Sequence, residues 1–254
     1  MLNLLKGRID RETAKKYGIR IAGAYLFFVL LQIFGEGRLN AYGLLHSFLP
    51  FIACALLINA TAYFAADEKK FAKVYGILMF LFLSVDLIKF LVNDAIPYAE
   101  NEYFICFCTG ISCTLMLTTF LLNRCVFINA ASYLLWAWIL APVSVLWNYY
   151  FTTGQWFTAE SYWEFKHASF ASAIEYVLAM RWYVIPLIIL FSLLILRFIW
   201  HAAKIKGRSL NFKQFVLIFA LLACSCLMFQ QHRDNQVMEI YYTARDVLSV
   251  KYGR

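Results

Sequence analysis

Residues 127–150 read FINAASYLLWAWILAPVSVLWNYY, a run without a single charged side chain. A helix needs about 20 apolar residues to cross the hydrocarbon core of a bilayer, and this stretch has that length and character. It decides the fold class, because the rest of the chain repeats the pattern: apolar runs of similar length separated by short polar connections. The chain has 254 residues, 63% hydrophobic and 19% aromatic, and only 15% charged. A soluble domain of this size has no interior large enough to hide that much apolar surface, so the expectation is an all-α polytopic membrane protein.

Outward from this run, the chain divides readily. Upstream, the tight basic turn NRC (123–125) separates it from a span over about 104–122, which an acidic turn, NDAIPYAENEY (93–103), joins to a span over about 74–92. The polar stretch ADEKKFAK (66–73) reads as a loop, and a span over about 44–64 precedes it, with Pro50 expected in its first turns where a missing backbone donor costs least. A shorter apolar run over about 21–34 opens the membrane region. Downstream, spans are expected over about 182–199 and 215–229, joined by the basic loop HAAKIKGRSLNFK (201–213). The total is seven spans, or five if the first two form a shallow hairpin. Residues 1–20 form a basic surface segment, 21–230 the transmembrane domain, and 231–254 an outer-face amphipathic tail or linker. The N-terminus does not have the form of a cleavable signal.

Charge sets the expected orientation. With the N-terminus cytoplasmic, fifteen Lys and Arg fall on inner segments and seven on outer ones, with Lys89 inside a span. The net charge of +8 therefore reads as a positive-inside bias and not as a nucleic-acid footprint. The C-terminal tail is then outside. Trp147, Trp156, Trp163 and Trp182, with Tyr149, Tyr150 and Tyr162, gather where an outer aromatic belt would lie.

One stretch is helix-like yet too polar to span: WFTAESYWEFKHASFASAIEYVLAMR, residues 156–181. Trp163, Phe170, Ile174, Val177 and Leu178 form a stripe at helical spacing, while Glu160, Glu164 and Glu175 lie off it. That pattern predicts an amphipathic helix over about 159–180, lying in the outer interface between the fifth and sixth spans. Other candidates carry weaker signals. Asp86 and Lys89 are three apart on one helical face, so they form either a self-neutralising intramembrane ion pair or a contact for substrate or ion. His46, His167, His201 and His232 show no ligand spacing, and no metal site is expected. Cys106 and Cys108 fall at a depth similar to Cys224 and Cys226, close enough on this reading for a disulfide in an oxidising compartment. No nucleophile–base pair, phosphate-binding glycine loop or carboxylate dyad is present.

From residue 147 onward the order of parts resembles the membrane domain of bacterial phosphoethanolamine transferases. In that family an outer surface helix carries a pattern like Gln-Thr-Asn-x-x-Glu-Ala-x-Glu-Tyr-Leu. Here His167-Ala-Ser-Phe-Ala-Ser-Ala-Ile-Glu175-Tyr176-Val-Leu178 aligns with it: Ala173, Glu175 and Tyr176 match, and Ala168, Ser169 and Ser172 stand where Thr, Asn and the first Glu would be. The resemblance implies a lipid-facing domain in a bacterial inner membrane, with phospholipid as partner. Lys166, His167, Ser169, Ser172, Glu175 and Arg181 would handle the headgroup. No catalytic residue is expected in this chain. The family's zinc-assisted transfer belongs to a soluble periplasmic domain, which would act as a further domain or partner protein. The alternative is a non-enzymatic membrane protein, such as a small transporter or a complex subunit.

Overall fold

The computed structural model describes residues 15, 18, 19, 22, 23, 26, 41–93, 101–123, 129–155, 161, 169–179 and 182–230. Six long helices and one short one make up this part: α1 (Ala41–Phe64), α2 (Glu68–Asn93), α3 (Asn101–Leu122), α4 (Asn129–Thr153), the short α5 (Phe170–Ala179), α6 (Val184–Ala202) and α7 (Phe212–Gln230). Among the described residues, three segments are long and apolar enough to cross a membrane: Ile105–Leu122 of α3, Asn129–Thr153 of α4 and Val184–Ala202 of α6. Shorter apolar segments occupy Phe48–Phe64 and Phe212–Met228. The expected tail over 231–254 and most of the first apolar run lie outside the described residues.

Burial ranks the helices. In α3, 72% of the apolar segment is buried, against 17% in α6. α3 is therefore the axis of the bundle, packed by α1, α2, α4 and α7, while α6 touches the rest mainly through α4. The outer face of α6 presents Leu190, Leu193, Leu194 and Leu196, each more than half exposed. In water such a face would be a contiguous exposed apolar patch, whereas in lipid it has the polarity of its solvent.

The helices meet through small and weakly polar side chains, as helices in lipid do. α1 and α3 run parallel, and Cys54 lies 3.6 Å from Cys106, sulfur to sulfur. Thr114 of α3 meets Ser225 of α7 at 2.9 Å, and its hydroxyl lies 3.9 Å from the sulfur of Cys226. Tyr75 of α2 meets Thr109 of α3 at 3.2 Å. Trp136 of α4, fully buried, donates its indole N–H to Thr119 of α3 at 2.7 Å. The threonines also return their hydroxyl protons to the carbonyl four residues back, as Thr61, Thr114, Thr118 and Thr119 all do, so these four hydroxyls are satisfied within their own helices.

Three sequence expectations change here. The polar stretch at 66–73 is mostly helix: Asp67 accepts the backbone N–H of Lys70, and this cap starts α2 at Glu68, with Phe71 already buried. Charge had masked two helical turns as a loop. Pro50 lies inside α1, which begins at Ala41, and not in its first turns. The sulfur pairing also differs. Antiparallel packing sets Ser225 and Cys226 beside Thr114, well down α3 from Cys106, so Cys106 meets Cys54 instead, and none of the described cysteines forms a disulfide.

Candidate functional site

The two ends of the bundle differ in chemistry. At one end the α1–α2 connection, the end of α3 and the α6–α7 connection converge and are hydrogen-bonded together. Ala65 pairs with Gly207 in an antiparallel bridge, flanked by Ala66 N–H to the Lys206 carbonyl at 3.0 Å and Arg208 N–H to the Phe64 carbonyl at 2.8 Å. Asn123, the residue after α3, donates from Nδ2 to the carbonyls of Ala203 and Ile205 and accepts the Ser132 hydroxyl on Oδ1 at 2.8 Å. Gly207 fits because its Cα faces Phe120: a Cβ there would sit 2.9 Å from the Phe120 Cβ. Arg208 donates from Nε to the Ala65 carbonyl at 3.0 Å and lies over the Tyr63 ring, and Lys204 Nζ sits 3.7 Å over the Trp200 ring. Around this clamp Lys69, Lys70, Lys73, Lys204, Lys206 and Lys213 are all exposed.

The opposite end carries the segment that joins α4 to α6. α4 stops at Gly154, whose φ of 69° is left-handed and whose N–H returns to the Tyr150 carbonyl at 2.8 Å, an ending that favours glycine. Thr153 and Gln155 close the turn, with the Gln155 N–H donated to the Thr153 hydroxyl at 3.0 Å. Ser161 is buried and accepts the Tyr149 hydroxyl at 2.9 Å, tying the connection back to α4.

Ser169 and Ser172, expected to handle a headgroup, stand at the start of α5. Ser169 precedes the helix and accepts the Ser172 N–H at 3.1 Å, while the two hydroxyls meet at 2.8 Å. This is an N-cap, and it explains why serines stand there. It also breaks the helix predicted over about 159–180, since Ser169 lies outside helical geometry; the described helix is Phe170–Ala179. On α5, Ile174 is 45% and Leu178 78% exposed, one turn apart on a single stripe, with Glu175 exposed beside them. Lys166, His167 and Arg181 lie outside the described residues, as do Trp156 and Trp163. Asp86 and Lys89 both fall in α2, but their side chains lie outside the described residues as well.

The aromatic belt is only partly as expected. Trp182 is 83% exposed and stacks edge-on with Tyr183 at the start of α6, a position suited to an interface. Trp147 is core: it is 7% exposed and packs on Phe151 of its own helix and Phe191 of α6. The interlock of α4 with α6 by large rings uses it up.

Among the described residues no three His, Cys, Asp or Glu side chains are grouped to hold a metal ion. Sequence reasoning missed the clamp entirely. The signals for it were the Asn123 that closes an apolar run and the glycine between Lys206 and Arg208. The chain matches no protein-family model, no curated protein and no solved structure.

Proposed function

We propose that this chain is a multi-pass domain of a bacterial inner membrane that presents a phospholipid headgroup at its α5 end, in the manner of the membrane half of a phosphoethanolamine transferase. The observation that carries the reading is the polarity of the bundle. The basic connections gather at one end, and the connection bearing α5 leaves the other, so a positive-inside bias puts α5 outside. In this reading the exposed Ile174 and Leu178 bury into the acyl boundary, and Glu175 receives the ammonium of an ethanolamine headgroup. Lys166, His167 and Arg181 supply positive charge for the phosphate. Ser169 and Ser172 act by fixing where α5 begins. The spans not yet counted over 21–34, 44–64, 74–92 and 215–229 complete a seven-span bundle with a cytoplasmic N-terminus and an outer tail. No transfer step is assigned to this chain; the zinc-assisted chemistry would lie in a periplasmic domain acting on the headgroup held here.

The test is headgroup retention. The chain, purified in a neutral detergent, is offered phosphatidylethanolamine and phosphatidylcholine in equal amounts, and bound lipid is read by native mass spectrometry. Phosphatidylethanolamine is expected to be retained in preference, and Glu175→Ala with Arg181→Ala to abolish the preference. Retention unchanged by both substitutions would sink the proposal and leave the non-enzymatic reading, a transporter or complex subunit, as the better one.

A further inference from the structure

The α5 reading uses the exposed lysines at the clamp only to orient the bundle and gives them no ligand. Their arrangement follows from the backbone. The bridge between Ala65 and Gly207, with Ala66 N–H on the Lys206 carbonyl, brings Lys206 beside the start of α2, where Lys69, Lys70 and Lys73 lie within the first two turns. Lys204 stands two residues upstream of Lys206 and leans on Trp200. The acidic residues of this connection are Asp67, which caps α2, and Glu68. The patch therefore has a surplus of positive charge held on a hydrogen-bonded frame and not on free loops.

A second observation says what covers it. Tyr63 is 49%, Trp200 56% and Phe212 81% exposed, and all three stand at this same end. Exposed aromatic rings at helix ends sit at headgroup level in a bilayer. Cations immediately beyond them are then within reach of lipid phosphates, and basic clusters in this position attract anionic lipids. A nucleic acid or a soluble polyanion accounts for the lysines but not for the rings.

We propose that Lys69, Lys70, Lys204 and Lys206, set on the clamp, form a binding surface for the anionic phospholipid headgroups of the surrounding leaflet. The clamp supplies preorganisation: the lysine-bearing backbones are already joined, so binding does not have to order them first. The lipid in turn bridges the α1–α2 and α6–α7 connections and fixes the depth of the bundle.

The proposal is tested on the whole chain in neutral detergent. Phosphatidylglycerol and phosphatidylcholine are supplied in equal amounts, and retained lipid is counted by native mass spectrometry across a salt series. The expected result is preferential retention of phosphatidylglycerol that weakens as salt rises. Removing one lysine near a charged surface costs roughly fivefold, so K69Q/K70Q and K204Q/K206Q, exposed pairs on different connections whose folding is checked by melting temperature, are each expected to lower the preference by more than tenfold. Equal retention of the two lipids, a preference that survives both pairs, or displacement of the lipid by a short RNA would each overturn it. The phosphatidylethanolamine preference at α5 reads out separately, because Glu175→Ala and Arg181→Ala leave these lysines in place.

Discussion

Replacing Asn123 with alanine is the sharpest single test of how the bundle end is built. The side chain serves three partners at once: two backbone carbonyls on the α6–α7 connection and the Ser132 hydroxyl on α4. Ala203 and Ile205 are 1% and 2% exposed, so water reaches their carbonyls poorly once the amide is gone. Interhelical hydrogen bonds in membrane proteins average about 0.6 kcal/mol each, which sets a floor of about 2 kcal/mol for three. An orphaned buried acceptor costs about 1–3 kcal/mol, which raises the estimate to about 3–5 kcal/mol if both carbonyls stay dry. At about 2–4 °C per kcal/mol for a chain of this size, Asn123→Ala should lower the melting temperature in detergent by roughly 6–20 °C. It should also speed trypsin cleavage after Lys204, Lys206 and Arg208, because the connection that carries them is released. Asn123→Asp separates the causes: it keeps the Ser132 contact but points a carboxylate at two carbonyls, and should be at least as damaging as alanine. A melting temperature within about 1 °C of the parent for either variant would refute the clamp.

Further outcomes follow from the same packing. Gly207→Ala places a Cβ 2.9 Å from that of Phe120, and overpacking of this kind costs about 1–3 kcal/mol, readable as a lower melting temperature with the Lys204–Arg208 region more open to protease. Thr119→Val keeps the side-chain shape but strips the acceptor from the buried Trp136 indole, for a loss of about 1–3 kcal/mol that a double-mutant cycle with Trp136→Phe should show to be shared. Treatment with copper phenanthroline should couple Cys54 to Cys106, as peptide mapping would reveal, since their sulfurs need only close from 3.6 Å to bonding distance. Coupling of Cys106 or Cys108 to Cys224 instead would show that the register of α7 on α3 is wrong.

The helices were legible in sequence because each apolar run is long and its boundaries are polar. α4, expected over 127–150, spans Asn129–Thr153, and α6, expected over 182–199, spans Val184–Ala202. What sequence hid was anything fixed by two segments meeting. The start of α2 looked like a loop because its first two turns are rich in charge, and hydropathy does not register the cap that Asp67 makes. Trp147 looked interfacial by composition and proved to be core, because nothing in one helix says that Phe191 will stand opposite it. At the candidate site, the expectation that α5 lies on the outer side rests on charge counting alone. The serines were read as ligands because their spacing matched a family pattern, and a cap at the start of α5 uses the same spacing. The clamp depends on three segments meeting at one end, the α1–α2 connection, the end of α3 and the α6–α7 connection, a relation that no local pattern encodes.

The measurement that bears most directly on the whole account is sidedness. In a background with Cys125, Cys224 and Cys226 replaced by Ser, leaving only the buried thiols, one new cysteine at a time replaces Ser172 on α5 or Lys206 on the clamp, and intact cells are treated with a membrane-impermeant maleimide. The polar bundle described here predicts that S172C is labelled from outside and K206C only after the membrane is opened. Labelling of both positions from the same side would contradict it.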